Sequence, residues 1–406
     1  MSQNTINSSS ENSYRHIKKL LLLSVAMVWT MTTWFSMTAV LPELTELWSL
    51  TSTQGSLVTI MVQAGFVVGS LLSAFLNLPD RLDLSRMFFG AALVAGFATI
   101  ATALFSSSYA SALIFRFLTG VALAGVYGPG LKLMATWFKV RRGMALGFVV
   151  GALTLGSASP HLFRGFSVGS WEIVLMVSGL ASILAGLLVV FTVNNGPYPL
   201  PKAPFDPAAI PRALRHTPVR LANYGYFGHM WELYAMWAWF GLFLLNSLQT
   251  SGVENPSSLA SFLTFIVIAA GFFGAWFGGM IADKFGRERL TLWSLATSGS
   301  IALLIGFFYG KSIWIIVILG IIWGISIIAD SAQFSALITE HADQRFVGSV
   351  LTFQLAVGFA ITMIVILLVP VLEAIVGWQY AFLLLVPGPV LGFLAMLRLH
   401  KVTSKV

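Results

Sequence analysis

Two ionisable residues sit one helical turn apart inside an apolar run. The stretch GHMWELYAMWAW, residues 228–239, carries His229 and Glu232, and an i, i+3 spacing puts both on one helix face. Arg116 and Asp330 lie in two other apolar runs. A carboxylate assisted by an imidazole can carry a proton, and a guanidinium or a second carboxylate can orient a charged solute. Glu232, helped by His229, is therefore the candidate proton carrier, and Arg116 or Asp330 the candidate for orienting the solute. Each also has a structural reading: Arg116 as a charge paired with an acid, Glu232 as the buried partner of His229 or Arg116, Asp330 as an inner gate charge. Lys132 is expected to snorkel towards the membrane surface. His161 and Arg164 are expected to be interfacial.

Other chemistries fit less well. There is no cysteine, so disulfides and thiolate metal sites are excluded. His229-x-x-Glu232 lacks the second histidine of H-E-x-x-H, and no metal or cofactor is expected. Gly165-Phe166-Ser167-Val168-Gly169 matches the G-x-S-x-G elbow of serine hydrolases, but that elbow needs a strand before it and a helix after it. An intramembrane hydrolase and a non-transporting sensor are the alternatives from other classes.

The elements that hold these residues are set by composition. The chain has 406 residues, 57% hydrophobic and 9% charged, against about 25% charged in ordinary soluble domains. Such a chain needs a lipid solvent. In lipid the backbone must satisfy itself, so the spans should be helices of about 20 residues. Twelve are expected, near 19–41, 55–77, 87–107, 110–137, 143–164, 172–193, 222–246, 259–281, 290–309, 313–337, 347–370 and 378–397. With the N-terminus in the cytoplasm, 19 of the 23 Lys and Arg lie on that side, as the charge bias of membrane loops requires. The net charge of +8 thus belongs to topology rather than to a nucleic-acid partner. The expected organisation is a disordered N-terminus (1–18), a six-helix bundle (19–193), a cytoplasmic linker (194–220) with one short interfacial helix, a second bundle (221–398) and a cytoplasmic tail (399–406). The expected fold is all-α integral membrane, twelve helices in two pseudo-repeat bundles. The expected setting is a monomer in a bacterial inner membrane with both termini cytoplasmic.

The two halves echo each other. Asp80-Arg81 and Asp283-Lys284 stand 203 positions apart, as do Arg142 and Arg345. Trp171 and Trp378 open the sixth and twelfth spans. Residues 279–289, GMIADKFGRER, resemble the signature loop of the major facilitator superfamily, G-x-x-x-D-[RK]-x-G-[RK]-x-[RK], with Gly279, Asp283, Lys284, Gly286 and Arg287 on its fixed positions. The first copy is degraded: Leu76 and Asp83 stand where glycines are usual, and Asp80 and Arg81 remain. The resemblance covers the whole chain. It implies a secondary transporter with a central cavity lined by spans 1, 4, 7 and 10, and loops that switch between two conformations through contacts of Asp80 and Asp283.

Arg116, Glu232 and Asp330 fall on that set of spans. A charge at the bilayer centre costs roughly 2.5–3.5 kcal/mol, so the three together cost on the order of 8–10 kcal/mol, near the net stability of a domain. They are unlikely accidents and are expected to border one wet pocket. Its other candidates are Trp29 and Thr33 on span 1, Tyr127 on span 4, Trp239 on span 7 and Gln333 on span 10. Five GxxxG pairs, among them Gly147/Gly151, are expected to bring helices close, and Gly128-Pro129-Gly130 to kink span 4. The stretch WFKVRRGMALGFVVG, 137–151, is similar to loops of monocarboxylate, oxalate and nitrate carriers. However, spans 2 and 8 lack the basic residues those carriers use, and span 5 reads GSASPHLF where drug antiporters have Gly-Pro-x-x-Gly-Gly. The expected solute is small and polar, with an organic anion preferred and protons as the coupling ion; efflux of drugs or metabolites is the alternative.

Overall fold

A computed structural model describes residues 3–106, 108–139, 141–166, 170–200 and 205–404, with side chains from residue 14 onward. The described residues form helices and no strand. In chain order the helices are α1 Gln3–Met31, α2 Ser36–Ala39, α3 Leu41–Trp48, α4 Ser52–Phe75, α5 Leu78–Arg81, α6 Leu84–Phe105, α7 Tyr109–Ala135, α8 Arg142–Phe166, α9 Trp171–Thr192 and α10 Ala209–Arg215. Then follow α11 Thr217–Thr250, α12 Pro256–Ala269, α13 Gly271–Phe285, α14 Arg287–Leu304, α15 Ile313–Ala329, α16 Ser331–His341, α17 Val347–Val376, α18 Trp378–Ala381 and α19 Pro387–Thr403. Ser167 of the hydrolase-like motif lies outside the described residues.

Among the described residues, ten helical stretches are long and apolar enough to cross a membrane. They are α4, α6, α7, α8, α9, α12–α13, α14 with its 3-10 end, α15–α16, α17 and α18–α19. The expected first and seventh spans lie on α1 and α11, which fall outside that set. The apolar run of α1 is cut at Met31 by a break, and the helix begins at Gln3, within the segment expected to be disordered. At 34 residues, α11 is long enough but carries His229, Glu232 and several Trp and Tyr.

Local chemistry explains the boundaries. Ser108 caps α7 in a reciprocal box with Ser111, which separates it from α6 across a very short break. Thr51 and Gln54 do the same for α4. Helix α7 runs through Pro129 without ending. Four expected spans are interrupted. Span 1 breaks between α1 and α2, span 8 at Ala270, span 10 at Asp330 and span 12 between α18 and α19. At the first break, the hydroxyls of Thr30, Thr32, Thr33 and Ser36 bond carbonyls three or four residues back. The amides of Thr33 and Trp34 also turn to three-residue bonds. Hydroxyls that compete for helical carbonyls bend or end helices.

Helices α1–α9 pack mainly on one another, and so do α11–α19. The two groups meet along two seams, α8 on α12 and α13, and α4 on α17. Glycines set the spacing at both levels. A Cβ at Gly120 would lie 1.9 Å from the Val62 carbonyl oxygen inside the first group. A Cβ at Gly147 would lie 2.8 Å from the Ala275 oxygen, and one at Gly151 2.9 Å from the Phe272 oxygen, both across a seam. These contrasting positions predict contrasting phenotypes. Gly120→Val should destabilise the fold by about 2–3 kcal/mol, because backbone must move. Gly147→Val should leave thermal unfolding nearly unchanged and lower solute uptake at least about tenfold, because two groups can separate where one cannot repack. Equal loss of stability in both variants would sink the distinction.

Candidate functional site

Arg116 sits on α7 with no exposure to solvent. Its Nη1 donates to the Thr33 carbonyl oxygen at 2.8 Å and to Ser36 Oγ at 3.3 Å, and its Nη2 donates to the Trp34 carbonyl. Among the described residues no carboxylate pairs with it. The guanidinium is thus held at the C-terminal end of α1, where the last carbonyls have lost their helical partners and the helix dipole favours a cation. The acid partner considered for Arg116 is replaced by backbone, and Thr33 contributes its carbonyl rather than its hydroxyl.

The three other charges cluster inside α11–α19. Glu232 is 1% exposed. Its Oε2 accepts from Ser298 Oγ at 2.8 Å, and its Oε1 accepts from Trp323 Nε1 at 2.7 Å. One turn earlier, His229 Nδ1 lies 3.0 Å from Asp330 Oδ1, both fully enclosed. The spacing is that of an ion pair, without the alignment of a hydrogen bond. Asp330 occupies the joint between α15 and α16. Arg116 and this carboxylate–imidazole group therefore belong to different helix groups, and no hydrogen bond or ion pair among the described residues joins them.

The remaining candidates scatter. Trp29 is 37% exposed. Trp239 donates to the Ile366 carbonyl at 3.0 Å and packs on Trp378. Gln333 accepts from Arg287 Nη1 at 2.7 Å. Tyr127 does face the middle of the protein, with its ring 6.2 Å from that of Phe66.

What fills the middle is an aromatic cluster that residue-by-residue reading of the sequence missed. Trp34 at the α1–α2 break meets Phe66 of α4, Tyr234 of α11 and Phe359 of α17 at 5.0, 5.8 and 5.6 Å. Trp237 packs against Phe35 at 5.8 Å and Tyr234 at 5.5 Å. The cluster joins both helix groups. One turn along the same seam, Gln63 of α4 accepts a hydrogen bond from Thr362 of α17. A signal was available: Trp34 and Trp237 stand 203 positions apart, in the register of the other echoes.

Towards the end with few basic residues, a cavity lies between the two groups, lined by Thr38, His161, Arg164, Ser261 and Thr264 among others. Arg164 Nη2 is 3.4 Å from Glu43 Oε2. His161 and Arg164, expected at the interface, therefore border an inter-group cavity. The basic end is closed. Asp80 pairs with Lys132, so Lys132 has a carboxylate partner where snorkelling was expected. The Asp283 carboxylate faces Gly143 in the first turn of α8, across the seam, a position where a helix N-terminus favours negative charge. Gly279 packs on the same turn. Gly286 has φ of +92°, a conformation in which a side chain is strained. Arg287 Nε donates to Glu340 Oε1 at 2.6 Å. Lys284 lies over Phe285, and Arg81 is exposed. The linker adds a strap: Phe205 N donates to Asn77 Oδ1 at 3.0 Å, and Asp206 N to Ser349 Oγ at 2.8 Å. It thereby ties the end of α4 to the start of α17.

Known proteins share this fold. A family profile described as Major Facilitator Superfamily matches residues 21–276, more than half of the chain. The curated MFS-type transporter pytF of Aspergillus terreus is 28% identical over 172 residues, 42% of this chain and 56% of that protein. MFS-type transporter 1 of an Ophiocordyceps species is 28% identical over 180 residues, 41% of this chain and 36% of that protein. The chain thus matches only about half or less of the length of these fungal relatives. The solved proton:xylose symporter XylE bound to 6-bromo-6-deoxy-D-glucose superposes with a TM-score of 0.71 at 13% identity, covering 95% of this chain and 96% of that one. A bacterial homolog of the human lysosomal transporter Spinster, inward-facing and unoccupied, gives a TM-score of 0.68 at 17% identity, covering 95% and 98%. At such identities the structural likeness is one of fold. With the profile match over most of the first helix group and beyond, the chain belongs to the major facilitator superfamily, a family of membrane transporters.

Proposed function

We propose that this chain is a secondary active transporter that moves a small solute between its two helix groups by alternating access, coupled to protons. The observation that carries the reading is the order of features along the inter-group seam. A cavity with mixed polar and apolar lining lies at one end, the aromatic cluster in the middle and a closed basic end beyond it. In this reading α1–α3 and α11 supply the remaining two crossings, the groups comprise 19–193 and 221–398, and 194–220 is the cytoplasmic linker. Both termini lie in the cytoplasm, where the basic loops place them. Interrupted helices at the Arg116 and Asp330 levels fit transporter sites, where irregular backbone is tolerated only against protein or a cavity. Glu232 is the proton carrier, with His229 and Asp330 as its neighbours, and Arg116 holds the broken first span. No catalytic role is assigned to any residue.

The test is uptake into proteoliposomes with an imposed pH gradient, screened over a panel of metabolites. Accumulation of at least one solute only when the gradient is present is the expected result, and its sign separates symport from antiport. Equal accumulation with and without the gradient would remove the proton coupling. No movement of any solute, in protein that binds one, would remove transport itself.

A further inference from the structure

The aromatic cluster carries more than packing. Four buried nitrogen donors at or against it have no hydrogen-bond partner among the described residues: Trp34 Nε1, Trp237 Nε1, Gln63 Nε2 and Arg116 Nε. Trp34 is 3% exposed and Trp237 1%. Buried N–H groups without partners are rare and costly, and four at or beside one aromatic cluster need an explanation. They also share a sign. Each is a donor and none an acceptor. Gln63 spends its acceptor on Thr362, and Arg116 spends its two Nη groups on Thr33, Ser36 and Trp34. Of the buried carboxylates of the second group, Glu232 is engaged by Ser298 and Trp323, and Asp330 lies 3.0 Å from His229.

We infer that this cluster is the closed form of the solute site, and that it takes a flat unsaturated compound bearing carboxylate or carbonyl oxygens. The inference rests on the transporter reading above and narrows its solute from small and polar to aromatic and acidic. The ring faces of Trp34, Phe66, Tyr234, Trp237 and Phe359 supply stacking surface for a planar body. The two indole N–H groups, one from each helix group and 203 positions apart, supply donors for oxygens between them. A solute held by one donor from each group would draw the groups together around it, which is the coupling alternating access needs. An organic cation would find aromatic faces but no carboxylate within the cluster itself, and would leave all four donors unpaired. Arg116 adds a positive charge directly behind the Trp34 backbone, which favours the acid further.

The experiment uses the purified full chain in detergent and two probes of matched size, 1-naphthoate and 1-naphthylmethylamine. Binding is read by thermal shift and by quenching of tryptophan fluorescence. The naphthoate is expected to bind, and the amine to bind at least about tenfold more weakly. Trp34→Phe and Trp237→Phe keep an aromatic face but delete the N–H together with one ring of the indole. Each is expected to unfold at a somewhat lower temperature without probe, because ring volume is lost from the core, and to weaken naphthoate roughly ten- to a hundredfold, the range for losing a hydrogen bond to a charged group. An amine that binds as well as the acid overturns the inference. So does unchanged naphthoate affinity in both Phe variants. If a Phe variant fails to fold, the amine comparison on the parent still decides. Failure here is separable from failure of transport. A solute that crosses proteoliposomes in a naphthoate-insensitive manner leaves the transporter standing and removes this site. Naphthoate binding with no solute movement does the reverse.

Discussion

Arg116→Met is expected to abolish uptake and to lower stability by about 2–4 kcal/mol, read as a fall in thermal unfolding temperature of the purified protein. Two effects compete. Methionine removes a buried cation, and replacing a buried charge by a packed apolar group is often neutral. That holds when the partners leave as well, and here they stay. The Thr33 carbonyl keeps the Ser36 hydroxyl at 3.0 Å, but the Trp34 carbonyl loses its charged donor, and the α1 terminus loses the cation opposite its dipole. Arg116→Lys is the informative partner. An ammonium is a single point and cannot hold two successive carbonyls in a fork. If Arg116 serves the broken helix, Lys should lose stability nearly as Met does. If it serves a solute anion, Lys should keep the parent unfolding temperature and lose affinity alone. A fully stable Arg116→Met protein would mean that the first span closes into a continuous helix without it.

The membrane class, the family and the presence of costly charges within long apolar helices were legible because each has a one-dimensional signature: a run of apolar residues, a motif or an exception to hydropathy. The pairing of those charges was not. Arg116 reads as an ion seeking an acid, because a sequence does not show that WTMTTWFS will end a helix and free its carbonyls. Four hydroxyls within seven residues, Thr30 to Ser36, were the available warning. Asp330 likewise reads as a residue on a helix face, yet it occupies a joint. Trp29 looked equivalent to its neighbours on a helical wheel. It lies on α1 ahead of the break and is 37% exposed, whereas Trp34, beyond the break, is buried, so the face that matters is set after Met31. Lys132 looked like a terminal snorkel, but its partner Asp80 lies 52 positions away and is reached only when α5 folds beside α7. Long-range contacts of this kind are set by packing rather than by local pattern.

Glu232→Gln is expected to cut gradient-driven uptake on the order of a hundredfold, while solute exchange without a gradient continues and thermal stability stays within about 1 kcal/mol of the parent. The hydrogen bonds around Glu232 explain the split. With both oxygens accepting, the pair Ser298 and Trp323 suits an ionised carboxylate. The Trp323 indole can only donate, so a proton arriving at Glu232 must sit on Oε2, facing Ser298. The serine can adapt. Its hydroxyl has a second acceptor, the Leu295 carbonyl at 3.5 Å, and on turning there its oxygen is free to accept from the protonated acid. A glutamine reproduces that second arrangement. Its oxygen takes the indole N–H and its amide donates to Ser298, so the packing survives while the proton cycle does not. Ser298→Ala then separates two roles. It removes the acceptor the protonated acid requires and leaves the indole bond in place, so it should shift the pH dependence of uptake without matching the loss in Glu232→Gln. Measured side by side in proteoliposomes, unchanged gradient-driven uptake in Glu232→Gln would strip Glu232 of the proton. The His229–Asp330 pair, 3.0 Å apart one turn away, would be the group left to carry it.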